Sequence, residues 1–274
     1  MKPEHKRFEG DDFTELKNLW LRVFDENEEA LELFFKRNKT SFAPYCSTSN
    51  GKIISALYLL PCTLNGENAH YLCGAATAPE YRRRGIMSDL ISFALDDAKN
   101  RGDAFSLLFP ANQSESLYRF YGRLGYAPGC TAAIRKMTRA ELAALAKNCG
   151  GEPDFESLQG QCFNNNFLLW NNDYIKFAEA YYRVYNASSV SCKAAFAIFE
   201  ESGGAAEVFY SAYSDFGCLC RLLLDNSKAK SFVFTLKADS PLLTHEKPER
   251  YGMIKALDKS KKIPNNIYLG ITLN

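Results

Sequence analysis

Between Asp11 and Phe24 the apolar residues fall at Phe13, Leu16, Leu19, Trp20, Val23 and Phe24, the spacing that turns one face of a helix toward a core. Asp11 and Asp12 open it, and negative charge there suits the positive end of the helix dipole. The same spacing recurs over Glu28–Arg37, with Leu31, Phe34 and Phe35 on the inward stripe. The pattern then changes. Asn50-Gly51 and Asn65-Gly66 are hairpin-turn dipeptides, and they cut residues 42–77 into three extended segments. The middle one, "KIISALYLLPCTL", is a long apolar run of the kind found at the centre of a sheet. Over Ile86–Asn100 a helical stripe returns at Met87, Leu90, Ile91, Ala94, Leu95 and Ala98, and Gly102 ends it. A strand is predicted over Ala104–Phe109, a short helix over Ser114–Leu124 and a strand over Ala132–Met137.

Thr138 and Glu141 have capping-box spacing and predict a further helix, which runs into the loop-like stretch "CGGEPDFESLQGQ". A domain boundary is placed within that stretch, giving domains 1–150 and 151–274. The second half repeats the order of the first. A helix over Tyr174–Tyr185, opened by Asp173, precedes strands "CKAAFAIFEE" and "AAEVFYSAY", a helix near Phe216–Leu224 and a strand over 231–236. A last strand is predicted in "IYLGITLN". The fold class is therefore α/β (α+β), with a mixed central sheet followed by a second α/β domain of the same order.

Composition adds exclusions. The 274 residues are 46% hydrophobic and 24% charged with a net charge of +1, which favours neither nucleic acid nor an anionic membrane as partner. The start "MKPEHKRFEGDD" has no apolar core of a signal peptide, and no run approaches a membrane span, so a cytoplasmic protein is expected. The nine cysteines follow no framework and read as mostly buried thiols. Cys218 and Cys220 lie on different faces of their helix, and the histidines number three (His5, His70, His245), so no metal is expected.

The chemistry gathers in "APEYRRRGIMSDL", Ala78–Leu90. A strand that enters a glycine turn and then a helix aims the unpaired amides of the helix start at one point, which suits a phosphate. Gly85 allows close approach, and Arg82 and Arg84 add charge-assisted hydrogen bonds. Neither a Walker loop nor the three-glycine dinucleotide fingerprint is present. The corresponding stretch of the second half, "YSAYSDFGCL", enters its helix without an arginine, so an anion site is expected only in the first.

These residues carry a family resemblance. "TAPEYRRRGIM" resembles the acyl-CoA pyrophosphate loop of GNAT-type N-acetyltransferases, Arg/Gln-x-x-Gly-x-Gly/Ala, with Arg82, Gly85 and Met87 in those places. Met87 departs from the small residue of the pattern. Downstream, "NQSESLYRFYGRLGY" is similar to the segment carrying the family's cofactor-contacting Asn and catalytic Tyr. Alignment on Gly125-Tyr126 places them at Asn112 and at Tyr121 rather than Tyr118. The tandem order resembles most closely the Eis-like (enhanced intracellular survival) acetyltransferases, without length for their third, sterol-carrier-like domain.

The resemblance implies direct transfer of an acetyl group from acetyl-CoA, as co-substrate, to an amine within a ternary complex. Backbone groups of Ala75, Ala76 and Thr77 would hold the pantetheine, and Arg82, Arg83, Arg84, Gly85, Ile86, Met87 and Ser88 the pyrophosphate. Tyr121 would protonate the leaving thiolate. The family's usual glutamate base is absent from "NAHYLCGAAT", which leaves His70, a water or the Asn274 carboxylate. Asp25, Glu26, Glu28, Glu29 and Glu32 form an acidic patch that suits a cationic acceptor and equally suits a solvated helix start. Two other readings stay open: a non-catalytic acyl-CoA-binding or regulatory protein, and a long-chain acyltransferase. The oligomeric state is not fixed, and a homo-oligomer is compatible with the sequence.

Overall fold

The computed structural model describes residues 3–37 and 42–273. In chain order the elements are β1 (Glu4–Arg7), α1 (Thr14–Val23), α2 (Glu28–Arg37), β2 (Ala43–Ser49), β3 (Lys52–Leu64), β4 (Glu67–Thr77), α3 (Ile86–Asn100), β5 (Phe105–Leu108), α4 (Glu115–Arg123) and β6 (Ala127–Thr138). They continue with α5 (Arg139–Leu145), α6 (Phe155–Phe163), β7 (Leu168–Leu169), α7 (Asn172–Val184), β8 (Ser188–Cys192), β9 (Ala195–Ser202), β10 (Ala205–Tyr213), α8 (Phe216–Asn226), β11 (Ser231–Leu236) and β12 (Glu249–Ala256). Both Asn-Gly pairs turn with positive φ at each residue, as a tight hairpin requires.

The chain divides into two compact units. One comprises residues up to Pro128 together with Gly252–Ile263, and the other Gly129–Tyr251 together with the segment from Pro264. In the first unit β1, β2, β3 and β4 pair in antiparallel succession, β4 pairs β5 in parallel, and β12 pairs β5 antiparallel. Side-chain alternation along β3 sorts the two faces. Leu57 and Leu59 join Leu90, Ile91 and Leu95 of α3 and Tyr118 and Tyr121 of α4 in one core. Tyr58 points the other way, to Trp20 of α1 and Phe34 and Phe35 of α2, with ring centroids 5.2, 5.4 and 5.6 Å from its own.

In the second unit β8, β9 and β10 are antiparallel, β10 and β11 are parallel, and β6 pairs β11 antiparallel. This is the same sequence of orientations as β2, β3, β4, β5 and β12. The last strand of each sheet comes from the other half of the sequence: β6 follows α4 in the chain, and β12 follows β11. The division at Pro128/Gly129 corrects the expected boundary at 150/151, and the cause is this exchange. The patterns of β6 and α5 read naturally as the end of the first half, but their partners lie elsewhere. Thr138 faces Ser231 in the β6–β11 register, and the Arg139 guanidinium donates to Leu224 O (2.8 Å) and Ser227 O (2.9 Å) behind α8.

After α5 the chain crosses the start of α8. Lys147 N donates to Gly217 O (2.9 Å), Lys147 Nζ pairs with Asp215 (3.1 Å), and Cys149 is bonded to Cys218. That pairing departs from the expectation of reduced thiols for these two cysteines. The stretch read as a loop contains α6, capped by the Asp154 carboxylate on Ser157 N. The predicted strand "IYLGITLN" forms only single bridges, Ile267 to Cys130 and Tyr268 to Phe167. Among the described residues no helix is long and apolar enough to cross a membrane, and no group of three or more His, Cys, Asp or Glu could hold a metal ion.

Candidate functional site

The site begins where β4 leaves β5 while staying paired with β3. Its parallel pairing with β5 runs Ala69↔Phe105, His70↔Ser106 and Tyr71↔Leu107 and stops there, while β4 continues to Thr77. Among the described residues, the backbone groups of β4 beyond Tyr71 that face away from β3 have no strand partner on that side. On the β3 side the register shifts between Ala56↔Ala76 and Tyr58↔Cys73, so Gly74 and Ala75 together oppose Leu57. Such a bulge kinks a strand and redirects its polar groups. Gly74 adopts φ +58, and a Cβ there would meet Trp20 Cη2 at 2.6 Å and Tyr58 Cδ2 at 2.7 Å. Glycine is required because α1 packs directly on the bulge. The sequence carries a signal for this, a lone glycine inside a strand run. Next to the bulge, Ser55 Oγ donates to Ala76 O (2.9 Å) and lies 2.9 Å from Thr77 Oγ1.

The arginine turn follows at once. Pro79–Tyr81 form a single 3-10 turn, Arg83 has φ +60, and Gly85, with φ +78, is the N-cap of α3. Among the described residues no side chain caps this helix start, so its first amides have neither an intrahelical nor a side-chain partner there. Nothing stands within 4 Å of a Cβ built on Gly85, so the left-handed backbone, not crowding, demands glycine. Arg82, Arg83 and Arg84 are exposed. Arg82 Nε donates to Thr77 O (3.0 Å), and Arg84 donates to Glu80 O (2.8 Å) and lies over the Tyr81 ring. Met87, half-buried, packs against the α3–α4 core. An uncapped helix start with its positive dipole end lies directly after three exposed arginines, an arrangement that suits a phosphate or diphosphate.

The third part is α4. Tyr118 and Tyr121 are both buried, but they differ at the hydroxyl. Tyr118 donates to Gln113 Oε1 (2.7 Å). No hydrogen bond is found for the Tyr121 hydroxyl among the described residues. Burial, followed by the nearby Cys73 thiol, pushes the Tyr121 phenol up to about 12. Asn112 is exposed in a left-handed turn (φ 52) between β5 and α4.

Of the candidate bases, His70 is 2% exposed, and its Nδ1 lies 2.7 Å from Asp103 Oδ2. Four residues at roughly 3.3 Å each separate it along β4 from the bulge, about 13 Å. Burial, outweighing Asp103, holds its pKa below the usual histidine value, so the ring is neutral at neutral pH. Asn274 lies outside the described residues. In the acidic patch, Asp25, Glu28, Glu29 and Glu32 are exposed, and Glu32 pairs with Lys17 (2.5 Å). The Asn27 carboxamide caps α2 by accepting from Glu29 N (2.8 Å) and Ala30 N (3.3 Å).

Many solved structures resemble the chain, and three of them span most of it as follows. A probable N-acyltransferase from Enterococcus faecalis V583 superposes with a TM-score of 0.74 at 15% identity, spanning 94% of this chain and 73% of that one. A GCN5-related N-acetyltransferase from Kribbella flavida gives 0.70 at 18% identity, spanning 93% and 72%. Eis1 from Mycobacterium abscessus gives 0.64 at 14%, spanning 94% and 74%. At these identities the likeness is one of fold. No curated protein has a matching sequence. The acetyltransferase (GNAT) domain family matches residues 4–129, the stretch that holds the bulge, the arginine turn and α4. Residues 4–129, a little under half of the chain, are therefore similar to the GNAT acetyltransferase domain.

Proposed function

We propose that the protein is an acetyl-CoA-dependent N-acetyltransferase that acetylates a primary amine of a small molecule or peptide by direct attack. The observation that carries this reading is the uncapped start of α3, with Gly85 in a left-handed turn behind three exposed arginines and ten residues after the β4 bulge. When bound there, acetyl-CoA supplies an activated acyl group. Arg82, Arg83 and Arg84 and the first amides of α3 hold the diphosphate. Backbone groups of β4 near Ala75–Thr77 on the side away from β3 hold the pantetheine arm, and an N–H among them polarises a carbonyl placed against it. Tyr121 holds a proton above neutral pH and can deliver it to a departing thiolate, because its hydroxyl has no other hydrogen bond and its pKa is raised. His70, buried and tied to Asp103, serves the fold. A water at the splayed strands is the base this geometry favours.

In this reading the second unit is a GNAT-like domain that binds no cofactor. Its counterpart of the α3 start, at α8, is capped by Asp215 and crossed by Lys147, leaving no room for a phosphate. Titration of CoA into the whole protein tests the assignment. One site per chain is expected, and Arg82→Ala with Arg84→Ala weakens it severalfold or more. Unchanged affinity in that variant refutes the loop as the binding site.

A further inference from the structure

Arg22, in the last turn of α1, places Nη2 at 3.1 Å from both carboxylate oxygens of Glu80, in the turn just before the arginines. Glu80 is awkward where it stands. Its backbone carbonyl accepts from Arg84, and its carboxylate lies within electrostatic reach of Arg82 as well as Arg22. Left bare, a carboxylate here would repel a diphosphate and would compete with it for the Arg82 guanidinium. Arg22 offers a second cation that takes up that charge. The same helix reaches the other end of the site, because Trp20 packs on Gly74 at the bulge.

Resting on the proposed acetyl-CoA reading, we infer that Arg22 is a positioning residue for the cofactor: it neutralises Glu80 and so leaves Arg82 and Arg84 to the diphosphate. Both partners are more than half exposed, so the pair itself contributes little to folding. Its effect lies in how it divides charge within the loop. An exposed pair is also screened, so the effect shrinks as salt rises past the Debye regime of about 0.1 M.

The distinguishing feature is the sign of each variant. Arg22→Ala, which leaves Glu80 bare, weakens CoA binding about three- to tenfold at low salt. Glu80→Gln, which removes the unwanted charge, tightens it. Arg22→Ala combined with Glu80→Gln restores affinity to at least the wild-type value. In acetyl transfer the loss in Arg22→Ala is expressed in KM for acetyl-CoA rather than in kcat. Calorimetry with CoA on the four proteins, at low and high salt, reads all of this. If Glu80→Gln weakens binding as Arg22→Ala does, the pair is only a structural bracket and the inference is overturned. If Arg22→Ala binds CoA like wild type while the Arg82/Arg84 double variant is impaired, the inference fails and the loop assignment stands. If the Arg82/Arg84 double variant is unimpaired as well, the underlying reading fails with it.

Discussion

Tyr118 and Tyr121 lie one turn apart on α4, both buried, and they differ in what their hydroxyls hold. Tyr118→Phe removes a hydrogen bond to Gln113 and should cost about 1 kcal/mol of stability with little change in turnover. Tyr121→Phe should lower kcat by roughly 10²-fold or more, the range of general acid catalysis, and leave CoA affinity unchanged. With the phenol pushed up to about 12, the rate should stay flat on the alkaline side to about pH 10. A limb near pH 8–9 that survives in Tyr121→Phe would assign that proton elsewhere. Glycine offers a second contrast. Gly51 and Gly74 both have positive φ, but only Gly74 is crowded. Alanine at Gly51 should cost about 1–2 kcal/mol for the left-handed backbone. At Gly74 it should cost a further 1–3 kcal/mol or so for overpacking against Trp20 and Tyr58. The difference between the two midpoints in urea measures how tightly α1 is seated on the bulge. His70 adds a pH dependence of known sign. Its folded pKa lies below the unfolded value of about 6.5, so the unfolded chain binds the proton first. Its contribution to stability is present above that value and is lost as pH falls through the window beneath it. Urea midpoints at pH 7.5 and 5.5 should therefore converge when His70 is replaced by Gln.

Between α5 and α6 the chain forms no regular element, yet it is tied closely to α8. It is held at α8 by Lys147 N on Gly217 O, by the Lys147–Asp215 pair and by the Cys149–Cys218 bond, which closes 69 residues of chain. Losing that bond should cost the second unit about 2–4 kcal/mol, chiefly through the unfolded state. Cys149→Ser is the cleaner probe, since Cys149 is exposed and Cys218 is core. Thermal unfolding of wild type with and without a dithiol, and of Cys149→Ser, should give one shifted curve and two that coincide. The sequence could not have announced this bond, because Cys149 and Cys218 have unremarkable spacing and only tertiary contact pairs them. What was legible was whatever a local pattern dictates. The stripe of α3, the two Asn-Gly hairpins and the Thr138–Glu141 capping box all appear at the expected residues. So does the arginine turn, whose chemistry lies in consecutive residues. Weak local patterns failed. β1 and β8 are four and five residues long with mixed polarity, and α6 begins after Pro153 in a stretch full of turn-formers. β12, "ERYGMIKA", has a glycine at its centre and lies far along the chain from the strand it pairs with. The Arg22–Glu80 pair was invisible for the same reason, since its partners stand 58 residues apart.

At the scale of the whole molecule, the exchanged strands decide what can be cut. A first half ending at residue 150 looks complete in the sequence: it has the GNAT match, the arginine turn and Tyr121. It lacks β12, whose Met253–Ala256 cover the edge of β5, and with it Met253 and the following Leu257, which lie in the core beneath α3 and α4. It also carries β6 and α5, which leave Met137 and Leu142 exposed once β11 and α8 are gone. Residues 1–150 alone should therefore present an open strand edge and two stranded apolar patches, the conditions for aggregation. The exchange also names the remedy. A chain of residues 1–128 joined by a flexible linker to 249–263 restores the β5 edge and omits β6 and α5. Both fragments should be expressed and followed by size exclusion and thermal unfolding. The joined chain is expected to be a folded monomer with a cooperative transition and measurable CoA affinity, and residues 1–150 to be aggregated or to lack a transition. Were residues 1–150 to fold cooperatively and bind CoA as well as the whole protein, β12 would be dispensable to the first sheet, and the exchange would be a feature of connectivity without energetic weight.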